Sequence, residues 1–109
     1  MKGPFGIQRA TEASDTPGAY ILSRDGKTAS YVGRSDSTLG SRLQQSIRER
    51  FGYSVFWIQY AGSPMEAYHL ECDFFHRFSP PDNDIHPAAP RNTNWQCPVA
   101  SCAWGNLLR

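Results

Sequence analysis

The stretch GAYILSRDGKTASYVG, residues 18–33, decides the fold. Two runs with alternating apolar residues flank Asp25-Gly26, and an Asp-Gly pair between such runs is among the strongest signals for a β-hairpin. If these two residues form the turn, Tyr20 lies directly across from Tyr31, with both rings on one face of the ribbon. The stretch therefore predicts a hairpin that presents two phenols side by side.

The sequence after the hairpin alternates helix and strand signals. Apolar residues recur every four positions over 39–51, which predicts an amphipathic helix, and the aromatic and β-branched run 53–60 predicts a strand. The segment Ser-Pro-Met-Glu at 63–66 is a capping-box pattern that opens a second helix ending near Phe78. We expect an α/β (α+β) fold, a small three-stranded antiparallel sheet flanked by helices.

Length and composition indicate one domain. The chain has 109 residues, 39% of them hydrophobic, and a net charge of +1, which fits a globular protein without a global basic field. We expect an N-terminal arm over 1–16, a core over 17–83 and an irregular tail over 84–109. The sequence shows neither a long apolar run nor a signal-peptide pattern, so we expect no membrane association and a cytoplasmic protein with reduced cysteines.

Positive charge is concentrated in a short central window. This window contains Arg34, Arg42, Arg48 and Arg50, with Glu49 between the last two. A local patch of this kind can bind nucleic acid even when the net charge is small. The arginines form either a solvated helix face or a strip that faces phosphates.

Glu71 lies in the middle of an apolar stripe on the second predicted helix. Leu70 and Phe74 are among the residues that share its face. A carboxylate that faces a core is costly unless a cation or a hydrogen bond satisfies it. Glu71 is therefore an edge residue that reaches water, a structural partner of an arginine, or a ligand for a metal ion.

The motifs Gly18-Ala19-Tyr20 and Tyr31-Val32-Gly33 resemble the signature of the GIY-YIG nuclease family. Family members also carry an arginine on the next helix, a glutamate on the following long helix and an asparagine beyond it. Arg42, Glu71 and Asn83 stand in that order here. The resemblance extends over about residues 17–83. It is similar to the nuclease domain of bacterial excision-repair proteins and of homing endonucleases.

The chain departs from the family pattern at a few positions. Ala19 and Val32 replace isoleucines that bear no chemistry. Ser46 stands one turn after the helix arginine, where members often have a histidine or tyrosine. Arg34 follows the second motif, where a lysine is common, and it keeps the charge.

The resemblance implies a metal-dependent endonuclease that hydrolyses DNA phosphodiesters with Mg²⁺ or Mn²⁺ in repair, recombination or restriction. Glu71 would hold the metal, and Tyr20 would act as general base, which needs nearby positive charge because a phenol has a pKa near ~10. The implied catalytic residues are Tyr20, Tyr31, Arg42 and Glu71. The implied phosphate- and DNA-binding residues are Gly33, Arg34 and Asn83.

Two other functions remain open at this point. The same fold also serves as a non-catalytic module that binds nucleic acid or a protein, and a structural domain without a nucleic-acid partner is the second alternative. If the chain is a nuclease, we expect a preference for DNA structure, weak specificity, or a partner protein that supplies specificity. The sequence does not indicate an oligomeric state.

A second group of metal-ligating residues lies outside these motifs. His69, Cys72 and His76 line the helix face opposite Glu71, and two further cysteines follow in the tail. A tetrahedral Zn²⁺ site would pin the tail to the helix. The predicted ligands are Cys72, His76, Cys97 and Cys102, and His86 is able to replace a histidine. The alternative is that the cysteines are reduced and packed as small hydrophobes, with surface histidines.

Overall fold

A four-stranded antiparallel sheet organises the protein, in the order β1-β4-β2-β3. The structure is a computed structural model and describes residues 1–50 and 52–102. The strands are β1 (Lys2–Gly6), β2 (Gly18–Ser23), β3 (Tyr31–Ser35) and β4 (Val55–Tyr60). The helices are α1 (Leu39–Glu49), α2 (Pro64–Phe78) and a short 3-10 helix (Ile7–Glu12).

The two α-helices cover opposite faces of the sheet. Side chains alternate along β2, so Tyr20 and Leu22 pack with α1, whereas Ala19 and Ile21 pack with Phe74 of α2. The central strand β2 is buried along its whole length because it has a helix on each side. The antiparallel sheet flanked by helices confirms the predicted fold class.

The predicted count of three strands is wrong, because the segment expected to be a loose N-terminal arm supplies a fourth. β1 pairs with β4, and Phe5 packs on Phe56 with ring centroids 5.5 Å apart. Gly3 and Pro4 interrupt the apolar pattern in the sequence. The pairing register shifts between Lys2 and Phe5, and a proline is tolerated there because β1 is an edge strand.

The hairpin has a longer loop and a different register from the prediction. Tyr20 pairs with Gly33, and Tyr31 pairs with Leu22. The reason is local: the Asp25 carboxylate accepts hydrogen bonds from the backbone N–H groups of Lys27 and Thr28, both at 2.8 Å, which holds the chain in a wide loop. A shift of two residues keeps every side chain on its face. The two phenol rings therefore still share a face, with centroids 6.4 Å apart.

The predicted capping box at the start of α2 is confirmed. The Ser63 hydroxyl accepts from the backbone N–H of Glu66 at 3.1 Å, and the Glu66 carboxylate accepts from the N–H of Gly62 at 3.0 Å. The two bonds fix where α2 begins and therefore which of its side chains face β2 and β3. The predicted end of the first helix at Phe51 lies outside the described residues.

The tail packs along α2. Within residues 84–102 it contains no helix or strand, and positions 103–109 of the predicted tail lie outside the described residues. Trp95 packs near Tyr68 of α2, with ring centroids 6.4 Å apart. Within the described part of the chain, none of the helices is both long enough and apolar enough to cross a membrane.

Candidate active site

One cleft of about 360 Å³ opens where β2, β3, α1, α2 and the loop after α2 meet. Every residue to which the sequence assigns a catalytic or phosphate-binding role lines it. These residues are Tyr20, Tyr31, Gly33, Arg34, Arg42, Glu71 and Asn83. The cleft therefore brings together side chains that are separated by up to 63 positions in the chain.

Glu71 reaches the cleft as an ion-paired, largely buried carboxylate. Its Oε1 accepts a hydrogen bond from Nη1 of Arg34 at 2.6 Å, and only 12% of its side chain is exposed. Burial raises the pKa of Glu71, although the charge of Arg34 opposes that shift. The carboxylate therefore has a partner but is not fully compensated, which is the condition under which a second cation is attracted.

Each of the three guanidinium nitrogens of Arg34 donates a hydrogen bond within the protein. Besides Glu71, the guanidinium donates from Nε to Oδ1 of Asp36 at 3.1 Å and from Nη2 to the backbone carbonyl of Ala88 at 2.9 Å. It also lies over the ring of Tyr68, 5.1 Å from the centroid. In this conformation Arg34 orients Glu71 and does not present its fork to a phosphate, unlike the role that the family resemblance implies.

Tyr20 is fully buried, yet its hydroxyl reaches the floor of the cleft. That oxygen lies 2.5 Å from the hydroxyl oxygen of Ser46, on the α1 face one turn beyond Arg42. Burial raises the pKa of Tyr20, and the hydrogen bond to Ser46 and the charge of Arg42 only partly oppose it. Tyr20 is therefore a neutral phenol in the free protein.

Gly33 permits this position of Tyr20. A Cβ atom built on Gly33 would collide with the hydroxyl oxygen and the adjacent ring carbons of Tyr20. The glycine is thus required by a close approach between neighbouring strands. This contact gives Gly33 a steric role beneath the cleft.

Arg42 presents its charge to solvent at the mouth of the cleft. Its guanidinium is exposed and makes a long 3.5 Å contact with Gln45. Tyr31 is half-buried, and Arg50 lies over its ring, 4.0 Å from the centroid. Arg42 therefore leaves its guanidinium accessible at the cleft, unlike Arg34.

Asn83 uses both ends of its amide to clamp the edge strand. Its Oδ1 accepts from the backbone N–H of Val32 at 2.8 Å, and its Nδ2 donates to the carbonyl of Val32 at 3.0 Å. The side chain thus pairs with β3 in the manner of one more strand residue. Asn83 fixes the loop that forms one wall of the cleft, and its amide is not directed at a ligand.

A shallow groove continues from the cleft along α1. It has a volume of about 430 Å³ and contains Arg34, Arg42 and Arg48 among hydroxyl and amide side chains. Three of the four arginines in the central window therefore follow one surface. Arg48 is exposed there and extends the positive charge away from Glu71.

The histidines and cysteines form a separate cluster behind the cleft. The side-chain donor atoms of His76, His86, Cys97 and Cys102 all lie within 4.8 Å of one another. Three of them were predicted as zinc ligands, and His86 takes the place predicted for Cys72. Cys72 is fully buried in the adjacent apolar cluster with Tyr68, because it lies one helical turn before His76.

No family model and no curated protein matches the chain. Solved structures do. The GIY-YIG N-terminal endonuclease domain of UvrC from Thermotoga maritima, bound to its catalytic magnesium ion, aligns with a TM-score of 0.61 and 20% identity over 70% of this chain and 92% of that chain. The chain has a GIY-YIG-like fold. A point mutant of the UvrC domain with its divalent cation aligns with a TM-score of 0.62 and 19% identity over 72% and 93% of the two chains.

Two features of the cleft are not predicted from the sequence. Ser46 looks like a departure from the family pattern, but its hydroxyl is the hydrogen-bond partner of Tyr20. The sequence signal for this role is its position one helical turn after Arg42, which places both residues on the same face of α1. The second feature is the carbonyl of Ala88, which accepts a hydrogen bond from Arg34. The sequence cannot indicate this contact, because every residue type has a backbone carbonyl.

Proposed function

We propose that this protein is a divalent-metal-dependent endonuclease that hydrolyses phosphodiester bonds in DNA. The observation that carries the proposal is the convergence of Tyr20, Arg42 and Glu71 on one cleft of a GIY-YIG-like fold. No general feature of an α+β sheet requires a buried phenol, an exposed arginine and a buried carboxylate to face the same space. Roles in repair, recombination or restriction are consistent with this activity.

Glu71 is the residue that would hold Mg²⁺ or Mn²⁺. A single carboxylate with waters and phosphate oxygens suits magnesium, and a carboxylate whose pKa is raised by burial gains from a second cation. Bound there, the ion would supply Lewis-acid stabilisation of charge on the phosphate. Arg34 keeps the carboxylate oriented through the 2.6 Å bond to Oε1.

Arg42 and the groove beside it would bind the DNA backbone. The exposed guanidinium of Arg42 can donate two parallel hydrogen bonds to a phosphate at the mouth of the cleft. Arg48 would meet a neighbouring phosphate along α1. This assignment replaces Arg34 and Asn83 as phosphate ligands, because their side chains are already engaged within the protein.

Tyr20 is the candidate general base, with Ser46 as its positioning partner. A neutral phenol cannot accept a proton from water, so Tyr20 would first release its own proton to solvent through the cleft. The phenolate would then take a proton from the attacking water, and the Ser46 hydroxyl would stabilise that phenolate by donating a hydrogen bond across 2.5 Å. The charge of Arg42 favours the phenolate. Tyr31, half-buried beside the same space, would orient the water or the phosphate.

The test is cleavage of labelled linear, nicked, flapped and branched DNA with Mg²⁺ or Mn²⁺ supplied after dialysis. Cleavage that requires the metal is expected, and Tyr20→Phe is expected to reduce it about 100-fold or more. Arg42→Gln and Arg48→Gln should weaken DNA binding and lower its salt dependence, by about one counterion each. Arg9→Gln is the control, because Arg9 is exposed and does not line the groove.

A folded protein that binds these DNAs in a salt-dependent manner but cleaves none of them would refute the catalytic proposal. That outcome would support a non-catalytic nucleic-acid-binding module on the same fold. A folded protein that binds no DNA would instead favour a domain that acts through a protein partner.

A further inference from the structure

The cluster behind the cleft has the geometry of a metal site. Nε2 of His76 lies 3.1 Å from Nε2 of His86, and Sγ of Cys102 lies 3.3 Å from the same His86 nitrogen. Ligand atoms about 2.0–2.3 Å from a tetrahedral zinc ion lie roughly 3.3–3.8 Å from one another. These two distances are close to that range, and all four donor atoms lie within 4.8 Å of one another.

His86 has the orientation of a metal ligand. Its Nδ1 lies 2.8 Å from the backbone carbonyl of Pro87, and a carbonyl only accepts hydrogen bonds. Nδ1 therefore carries the proton, and Nε2 points its lone pair into the cluster. A backbone carbonyl behind a histidine is the usual arrangement that fixes the tautomer of a zinc ligand.

We propose that the chain binds one structural Zn²⁺ through His76, His86, Cys97 and Cys102. Two thiolates and two imidazoles are a donor set that zinc prefers, and here the four donor atoms lie within 4.8 Å of one another. The two cysteines are each 2% exposed, His86 is 9% exposed and His76 is half-buried. Four protein ligands would complete a tetrahedron, so no position would remain for a substrate. Both cysteines are free of disulfides. This proposal does not depend on the nuclease activity.

The site would join three parts of the chain. His76 is in the last turn of α2, His86 is in the loop that follows, and Cys97 and Cys102 are in the tail. The tail otherwise lacks helices and strands in residues 84–102, so few backbone bonds hold it. A four-ligand ion would stabilise it by closing these loops.

The same site would support the wall of the cleft. The loop from Asn83 to Ala88 is clamped to β3 at one end by Asn83, and Ala88 at the other end accepts the hydrogen bond from Arg34. His86 lies between these two contacts. Zinc bound to His86 would therefore hold the Ala88 carbonyl in place and, through Arg34, the orientation of Glu71.

The first test measures the metal content of protein purified without added metal or chelator. The wild type is expected to contain about one zinc ion per chain. Cys97→Ser and His86→Gln are expected to lose it, whereas Cys72→Ser is expected to keep it. Cys72 is the matched control because it is a buried thiol beside the cluster but outside it.

A second measurement covers the case in which the ligand variants fail to fold. Wild-type protein exchanged into Co²⁺ should show the visible absorption of tetrahedral cobalt with thiolate ligands. Removal of the metal should lower the melting temperature, and added Zn²⁺ should restore it.

Wild-type protein that is folded, metal-free and unable to take up Zn²⁺ or Co²⁺ would overturn the proposal, leaving a hydrogen-bonded cluster of the same side chains. Loss of zinc in Cys72→Ser with retention in His86→Gln would overturn the ligand set. Neither result depends on DNA cleavage, so failure of the zinc site and failure of the nuclease proposal are distinguishable.

Discussion

Arg34 donates its shortest hydrogen bond to Glu71, 2.6 Å from Nη1 to Oε1, at the centre of the cleft. The same guanidinium bonds to Asp36 and to the carbonyl of Ala88. A planar guanidinium group that donates to three acceptors has a fixed orientation. The guanidinium that follows the second tyrosine motif therefore orients the Glu71 carboxylate.

Arg34→Lys should impair cleavage although it keeps the charge. An ammonium group cannot reach Glu71, Asp36 and the Ala88 carbonyl together, so we expect a cleavage rate about 10- to 100-fold lower and a free energy of unfolding about 1–3 kcal/mol lower. Arg9→Lys, which alters an exposed ion pair with Glu12, should leave the unfolding midpoint nearly unchanged. Equal activity in Arg34→Lys and the wild type would contradict the assigned role.

Glu71→Gln should stabilise the metal-free protein at neutral pH. Burial raises the pKa of Glu71 in the folded state above the value of ~4.3 in an unfolded chain. The folded protein therefore binds the carboxyl proton of Glu71 more tightly than the unfolded chain does. Above the folded pKa the ionised carboxylate lowers the free energy of unfolding. This loss disappears as the pH falls through the folded pKa. Urea unfolding should show a higher midpoint for Glu71→Gln at pH 7 and similar midpoints near pH 4.

Added Mg²⁺ should make the wild type more stable than Glu71→Gln at pH 7. An ion that binds only the folded wild type raises its free energy of unfolding, and Glu71→Gln lacks the charge that would bind it. Unfolding curves at pH 7 with and without Mg²⁺ therefore check the metal assignment independently of cleavage. A magnesium shift of equal size in both proteins would mean that Glu71 is not the ligand.

Ser46→Ala should uncouple Tyr20 from catalysis. The buried phenol would lose its 2.5 Å hydrogen bond, which lowers the free energy of unfolding by about 1–3 kcal/mol. We expect kcat to fall while KM for DNA is unchanged, because Ser46 does not line the groove along α1. The pH profile is the decisive readout: a purely structural loss would lower the rate equally at every pH, whereas a lost proton partner would change the dependence itself.

Gly33→Ala should displace Tyr20. The new methyl group would overlap the phenol hydroxyl and ring, and overpacking of this kind costs about 1–3 kcal/mol. In a double-mutant cycle with Tyr20→Phe, the two losses of stability should be less than additive. The reason is that Tyr20→Phe removes the hydroxyl group that the new methyl group would overlap. Additive losses would show that the two residues do not conflict.

The sequence predicts the fold well where local signals determine the structure. The alternation along β2, the four-residue apolar repeat of α1 and the capping box of α2 are each set by neighbours a few positions away. The hairpin register was not predictable, because the Asp25 side chain caps a wide loop and the Asp-Gly pair alone does not reveal this. β1 was not predicted, because an edge strand tolerates the glycine and proline that normally argue against a strand.

The members of the site were predictable, but their connections were not. Motif order identifies Tyr20, Arg42 and Glu71 as residues of one cleft. Whether Arg34 binds a phosphate or a carboxylate depends on contacts 37 positions away. His86 rather than Cys72 joins the cysteines because of the path of the loop after α2, which no periodic pattern encodes.

The most direct test of the central claim is single-turnover cleavage of DNA with Mg²⁺ by the wild type, Glu71→Gln and Glu66→Gln. Both variants neutralise one glutamate on α2, and glutamine at 66 can keep the capping bond. We predict that Glu71→Gln loses about 1,000-fold or more of the rate while remaining folded, and that Glu66→Gln cleaves at nearly the wild-type rate. Cleavage by Glu71→Gln at the wild-type rate would contradict the account.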